Sequence, residues 1–101
     1  MARIVNINGE KHQVENNRAT WVETTALALT ECNGNACGDV SITWTGHGYD
    51  VRNNGNKRVR VRVRFTFGLQ CLDWTSIDLN PGEVHSYGNG AYCEPVEANH
   101  I

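Results

Sequence analysis

The chain has 101 residues, of which 40% are hydrophobic and 20% charged, with a formal net charge of −2. That length suits one domain spanning residues 1–101 with a two-layer core and leaves no room for a second. No run approaches the ~18 consecutive apolar residues of a membrane span, "MARIVNINGEKHQ" lacks the apolar centre of a signal peptide, and the negative balance argues against a nucleic-acid partner.

In chain order, "ARIVNI" reads as a first strand and "EKHQV" as its return across Asn8-Gly9. Asn and Gly both tolerate the positive φ that two-residue hairpin turns require. The same dipeptide recurs at Asn33-Gly34, Asn54-Gly55 and Asn89-Gly90, always between segments of strand character. "ATWVETTALALTEC" is Thr-rich and partly alternating. Its Ala and Leu would suit a helix, but it is read here as strand. "DVSITWT" alternates, with Val40, Ile42 and Trp44 on one face. "YDVRN" and "KRVRVRVRFTF" flank "NNGN" as a hairpin; "CLDWTSIDL" follows, then a Pro-Gly turn in "LNPGE", then "VHSY" and "AYCEPV". Short strands at this spacing predict an all-β, antiparallel β-sandwich of about seven or eight strands, immunoglobulin- or fibronectin-like in architecture.

Cys32, Cys37, Cys71 and Cys93 form an even set in a short, turn-rich chain, the mark of a disulfide framework and an oxidising setting. Of the three connectivities, the expected one joins Cys32 to Cys37 across "CNGNAC" and Cys71 to Cys93 between two late strands. The second loop would stabilise the fold by about 3 kcal/mol in the chain-entropy model. A secreted or periplasmic location follows, although the lack of an apolar leader pulls the other way and keeps free thiols open. The cysteine spacing does not suit zinc, and neither a metal nor a cofactor is expected.

The strip from Lys57 to Phe67 is the most patterned part of the sequence. Six of the nine basic residues lie between Arg52 and Arg64 with no acid among them, whereas Cys71 to Ile101 holds Asp73, Asp78, Glu83, Glu94 and Glu97 and no Lys or Arg. Side chains alternate along a strand, so Val59, Val61, Val63, Phe65 and Phe67 should enter the core and Arg58, Arg60, Arg62 and Arg64 should point outward. Arginines about 6.6 Å apart could grip a row of oxyanions. Neutralisation by cross-strand acids is the competing expectation.

Trp21, Trp44 and Trp74 are expected in the core. Tyr49, Asn53, Asn54, Tyr87 and Asn89 lie in or beside Asn- and Gly-rich loops, where rings can stack on sugars and amides can bond hydroxyls. Turn geometry is the other reason for those amides. "GHGYD" and "VHS" offer histidines without a nucleophile motif, so no enzyme is expected. The sequence thus describes a non-catalytic binding module for an extracellular glycan or anionic surface. Its alternative is a structural or protein-partner module, a subunit or inhibitor docking through an exposed sheet face, in which an oligomer is compatible.

Overall fold

A computed structural model describes residues 3–16, 18–21 and 31–101. Among them the chain forms ten strands: β1 (Arg3–Ile7), β2 (Glu10–Glu15), β3 (Arg18–Trp21), β4 (Cys32–Asn33), β5 (Val40–Trp44), β6 (Tyr49–Asn53), β7 (Val59–Phe67), β8 (Gln70–Leu79), β9 (Val84–Tyr87) and β10 (Ala91–His100). A single 3-10 turn, Cys37–Asp39, precedes β5. The stretch 22–30 of the segment read as a long strand lies outside the described residues; its start, through Trp21, is β3.

The strands form two sheets, one in the order β3-β2-β1-β10-β7-β8 with the short β4 pairing parallel to β10, the other in the order β5-β6-β9. All remaining neighbours are antiparallel. Both disulfides join as the spacing suggested, Cys32 to Cys37 and Cys71 to Cys93.

Asn8-Gly9 makes the expected hairpin turn, with φ of 51° and 84° and Ile7 opposite Glu10. The other three Asn-Gly pairs do something else. Each lies where the chain leaves one sheet for the other: β4 to β5, β6 to β7, and β9 to β10. The expected β6–β7 hairpin is therefore corrected to an arch. Asn53 holds it, its Nδ2 donating to the carbonyls of Lys57 (2.7 Å) and Leu79 (3.0 Å) while its Oδ1 accepts from the Gly55 N–H (2.9 Å). These bonds satisfy a fully buried amide and fix the sheet-to-sheet passage. "LNPGE" folds as foreseen: Gly82 takes φ of 80° and the Glu83 N–H donates to the Asn80 carbonyl at 2.9 Å.

The inner faces of the two sheets share one core, in which Val59, Val61, Val63, Leu79, Tyr92, Val96 and Ala98 of the large sheet meet Tyr49 and Val51 of the small one. Val40, Ile42 and Trp44 pack against it from β5, as their alternation required. Burying each large aliphatic or aromatic side chain contributes about 1.5–3 kcal/mol, so this face dominates the stability. Phe67 corrects the expectation. It shares the phase of the buried valines yet is 79% exposed, because the β7–β8 hairpin runs beyond the cover of the small sheet. Trp74 is a second correction: it stands on the opposite face, under the arginines.

That opposite face carries a smaller cluster of its own. Val5 lies across from Cys93 and Cys93 across from Arg64, so β1, β10 and β7 turn Val5, the Cys71–Cys93 disulfide and Arg64 to one side. Val5 and Val14 are fully buried there, with Ile7, Leu69, Cys71 and Ala91 around them.

Candidate functional site

The register decides the fate of each arginine. Arg60 stands opposite Asp78 and binds it with both prongs of its guanidinium, Nε to Oδ1 at 2.8 Å and Nη2 to Oδ2 at 3.1 Å; Arg58 approaches the same carboxylate at 3.8 Å. Arg60's bonds, with Arg58's charge, hold the Asp78 carboxyl below its ordinary range. Arg62 stands opposite Glu97 and donates to it at 3.0 Å. Two acids of the C-terminal third thus neutralise three arginines, while Asp73 and Glu83 form no ion pair with the ladder.

Arg64 has no acid on its rung. Its neighbours are Cys93 on one side and Trp74 on the other, and its guanidinium carbon lies 4.6 Å from the Trp74 ring centroid, beside that of Arg62 at 4.9 Å. A cation over an indole face is attracted by the ring quadrupole but is not discharged by it. The Arg64 Nε is buried without a hydrogen-bond partner.

A second arginine arrives from β1. Arg3 uses one terminal nitrogen to donate to the Leu69 carbonyl at the tip of the β7–β8 hairpin, and its Nε is likewise buried and unpartnered. Arg3 and Arg64 line the same open cleft of about 420 Å³, with Gln70 and Cys71 as its other walls. Neither has a carboxylate partner among the described residues. Two partly desolvated guanidinium groups with unused donors form a fork for an oxyanion. Arg3 was missed at the sequence level because a lone arginine in "MARIVNI" gives no sign that β1 lies one strand away from β7.

The loop residues fare differently. Tyr49 is only 2% exposed; its hydroxyl donates to Asn6 Oδ1 (2.8 Å) and accepts from the Gly9 N–H (3.1 Å), and burial raises its pKa. Asn53 is fully buried in the arch. Both are corrected from surface contacts to parts of the fold. Tyr87 packs its ring 4.6 Å from those of Phe65 and His85, and its hydroxyl is buried and unpartnered, which raises its pKa. Asn89 Nδ2 donates to the Ala91 carbonyl and shapes its own turn. Asn54 opens onto a groove of about 280 Å³ on the outer face of the small sheet, lined also by Ser41, Thr43, Asp50, Arg52 and Val84. No aromatic ring lines that groove, so it lacks the stacking surface of the sugar-binding arrangement foreseen.

One further charged group is internal. Glu94, in the irregular stretch of β10 between its two registers with β7, is buried, accepts from the Glu31 N–H at 2.6 Å and meets Lys11 Nζ at 3.4 Å, while its Oε2 has no partner. Burial raises its pKa against the pull of Glu31's N–H and Lys11.

No family model, no curated protein and no solved structure matches this chain.

Proposed function

We propose that the protein is a non-catalytic recognition module that binds an anionic group in the cleft between Arg3 and Arg64. The observation that carries this reading is their shared lack of a counterion: each other arginine of the ladder meets an acid, and these two meet each other's cleft instead. Two guanidinium charges lining one cleft with no carboxylate between them suit a bidentate oxyanion. The two disulfides support an oxidising, extracellular or periplasmic setting. An immunoglobulin-like architecture, expected from the strand spacing, would by itself carry no activity. Arg58, Arg60 and Arg62, already met by Asp78 and Glu97, leave a docking partner little charge to meet, which favours the anion reading over a protein partner on the ladder face.

Titration of the native protein with inorganic sulfate, followed by NMR of the arginine Nε–H signals, tests the reading. Saturable shifts confined to Arg3 and Arg64 are expected, with the Arg64 shift weakened in Arg3→Gln and the Arg3 shift weakened in Arg64→Gln. Equal response along the whole ladder would mean unspecific screening and would overturn it. An array of neutral, carboxylated and sulfated glycans then asks whether the anion is carried on a sugar.

A further inference from the structure

We propose that the anion received by this cleft is a membrane lipid headgroup, and that the β7–β8 hairpin docks end-on at an anionic bilayer surface. This rests on the anion reading above and adds the nature of the carrier. Among the described residues the exposed large hydrophobics are Phe67, Leu72, Val84 and Ile101. Two of them, Phe67 at 79% and Leu72 at 49% exposure, belong to the tip of the same hairpin that supplies Gln70 and Cys71 to the cleft and the Leu69 carbonyl to Arg3.

Phe67 and Arg64 sit on opposite faces of β7. A ligand lying flat on either face would meet only one of them, whereas a surface met end-on meets both. Phe67 and Gln70 close the hairpin across Gly68 and Leu69, with Gly68 at φ of 62°; Phe67 and Gly68 are exposed while Leu69 packs back on the Val5–Val14 cluster. An exposed ring at a hairpin tip needs no shaped cavity in its partner if that partner is a deformable interface, where a ring settles at headgroup depth while flanking cations meet the phosphates. Charge favours the same pose. The molecule is net negative, so an anionic surface repels its acidic parts and draws in the end bearing Arg3 and Arg64, whose guanidinium groups share one cleft with no carboxylate. Asp73, next to Leu72 where the β7–β8 pairing shifts register between Arg64–Trp74 and Thr66–Cys71, is an acid that opposes this approach.

Co-sedimentation of the native, disulfide-intact protein with phosphatidylcholine vesicles, with and without phosphatidylglycerol, is the test. The protein should pellet with the anionic vesicles and not with the neutral ones. Arg3→Gln and Arg64→Gln should each weaken partitioning about fivefold. Phe67→Ser plus Leu72→Ser should weaken it about tenfold or more while keeping the sulfate response of Arg64, which shows the cleft intact. Asp73→Asn should strengthen it. In Phe67→Trp the indole emission should shift to the blue on anionic vesicles. Vesicle binding indifferent to the phosphatidylglycerol, or to the loss of Phe67 and Leu72, overturns the inference. Failure to pellet with an intact sulfate response overturns the lipid carrier alone and directs the search to a soluble or protein-borne anion. Failure of both removes the anion reading as well.

Discussion

Arg64 and Trp74 face each other across the β7–β8 ladder, with the guanidinium carbon 4.6 Å from the indole centroid. The indole holds the cation in place without supplying a negative charge, so Arg64 is positioned and still available. Trp74 is therefore a reporter of the cleft, and its emission should change on addition of sulfate in the wild type and stay constant in Arg64→Gln. Trp74→Ala should cost about 1–2 kcal/mol of stability, from two partly exposed cation–π contacts of about 0.5–1 kcal/mol each, read by urea denaturation. Trp74→Phe should recover part of that loss.

Asn53 joins the two sheets through side-chain bonds to three backbone groups. Asn53→Ala leaves those groups buried and unpaired and should destabilise the protein by about 2–4 kcal/mol. Asn53→Asp should fare no better, because the two donors to Lys57 and Leu79 become acceptors. The midpoint of chemical unfolding measures both. A change below about 0.5 kcal/mol for Asn53→Ala would show that the arch does not depend on this residue.

The two disulfides should differ in effect. Loop-closure entropy assigns about 3 kcal/mol to Cys71–Cys93, separated by 22 residues, and about 2 kcal/mol to Cys32–Cys37, separated by 5. Replacing each pair with serines and comparing denaturation midpoints should reproduce that order. Only loss of the Cys71–Cys93 pair should also abolish the sulfate response, since Cys71 lines the cleft and Cys93 flanks Arg64 on its rung.

Glu94 gives the stability a pH dependence of unusual sign for a carboxylate. Burial raises its pKa in the folded protein above the ordinary value, so folding takes up a proton in the interval between the two. Stability contributed by this group therefore increases as pH falls through that interval. Asp78, lowered by Arg60, works the other way: its contribution is present above the ordinary carboxylate value and disappears as pH falls through the lowered one. The difference in stability between wild type and Glu94→Gln, followed by urea titration at a series of pH values, should shift toward the wild type on acidification. A difference independent of pH would contradict the assignment.

Alternation alone placed Val59, Val61 and Val63 in the core, because a half-buried strand leaves no other face for them. It failed at Phe67, since the position where a strand outruns its cover depends on the length of the opposing sheet and not on its own sequence. Asn-Gly announced positive φ at Asn8-Gly9, but at Asn54-Gly55 the same local signal served an arch, because a turn dipeptide does not specify which strands it separates. The acidic C-terminal third was recognised as the partner of the ladder. Which of its members act was set by register: Asp78 and Glu97 fall on arginine rungs, while Glu94 falls in the irregular part of β10 and is buried against Lys11. The cleft itself depends on Arg3 and Arg64, far apart in the chain, being brought together across β10, a relation that no local pattern encodes.

The bond between Cys71 and Cys93 also has a mechanical meaning. It connects the β7–β8 hairpin, one residue from its closing pair Phe67–Gln70, to β10 in the middle of the large sheet. A pull on Phe67 consequently reaches β10 through a covalent link near the tip before it can unzip the β7–β8 ladder toward Val59. Tension applied at Phe67 is transferred at once to the whole sheet, so any contact made there would part while the hairpin stays folded.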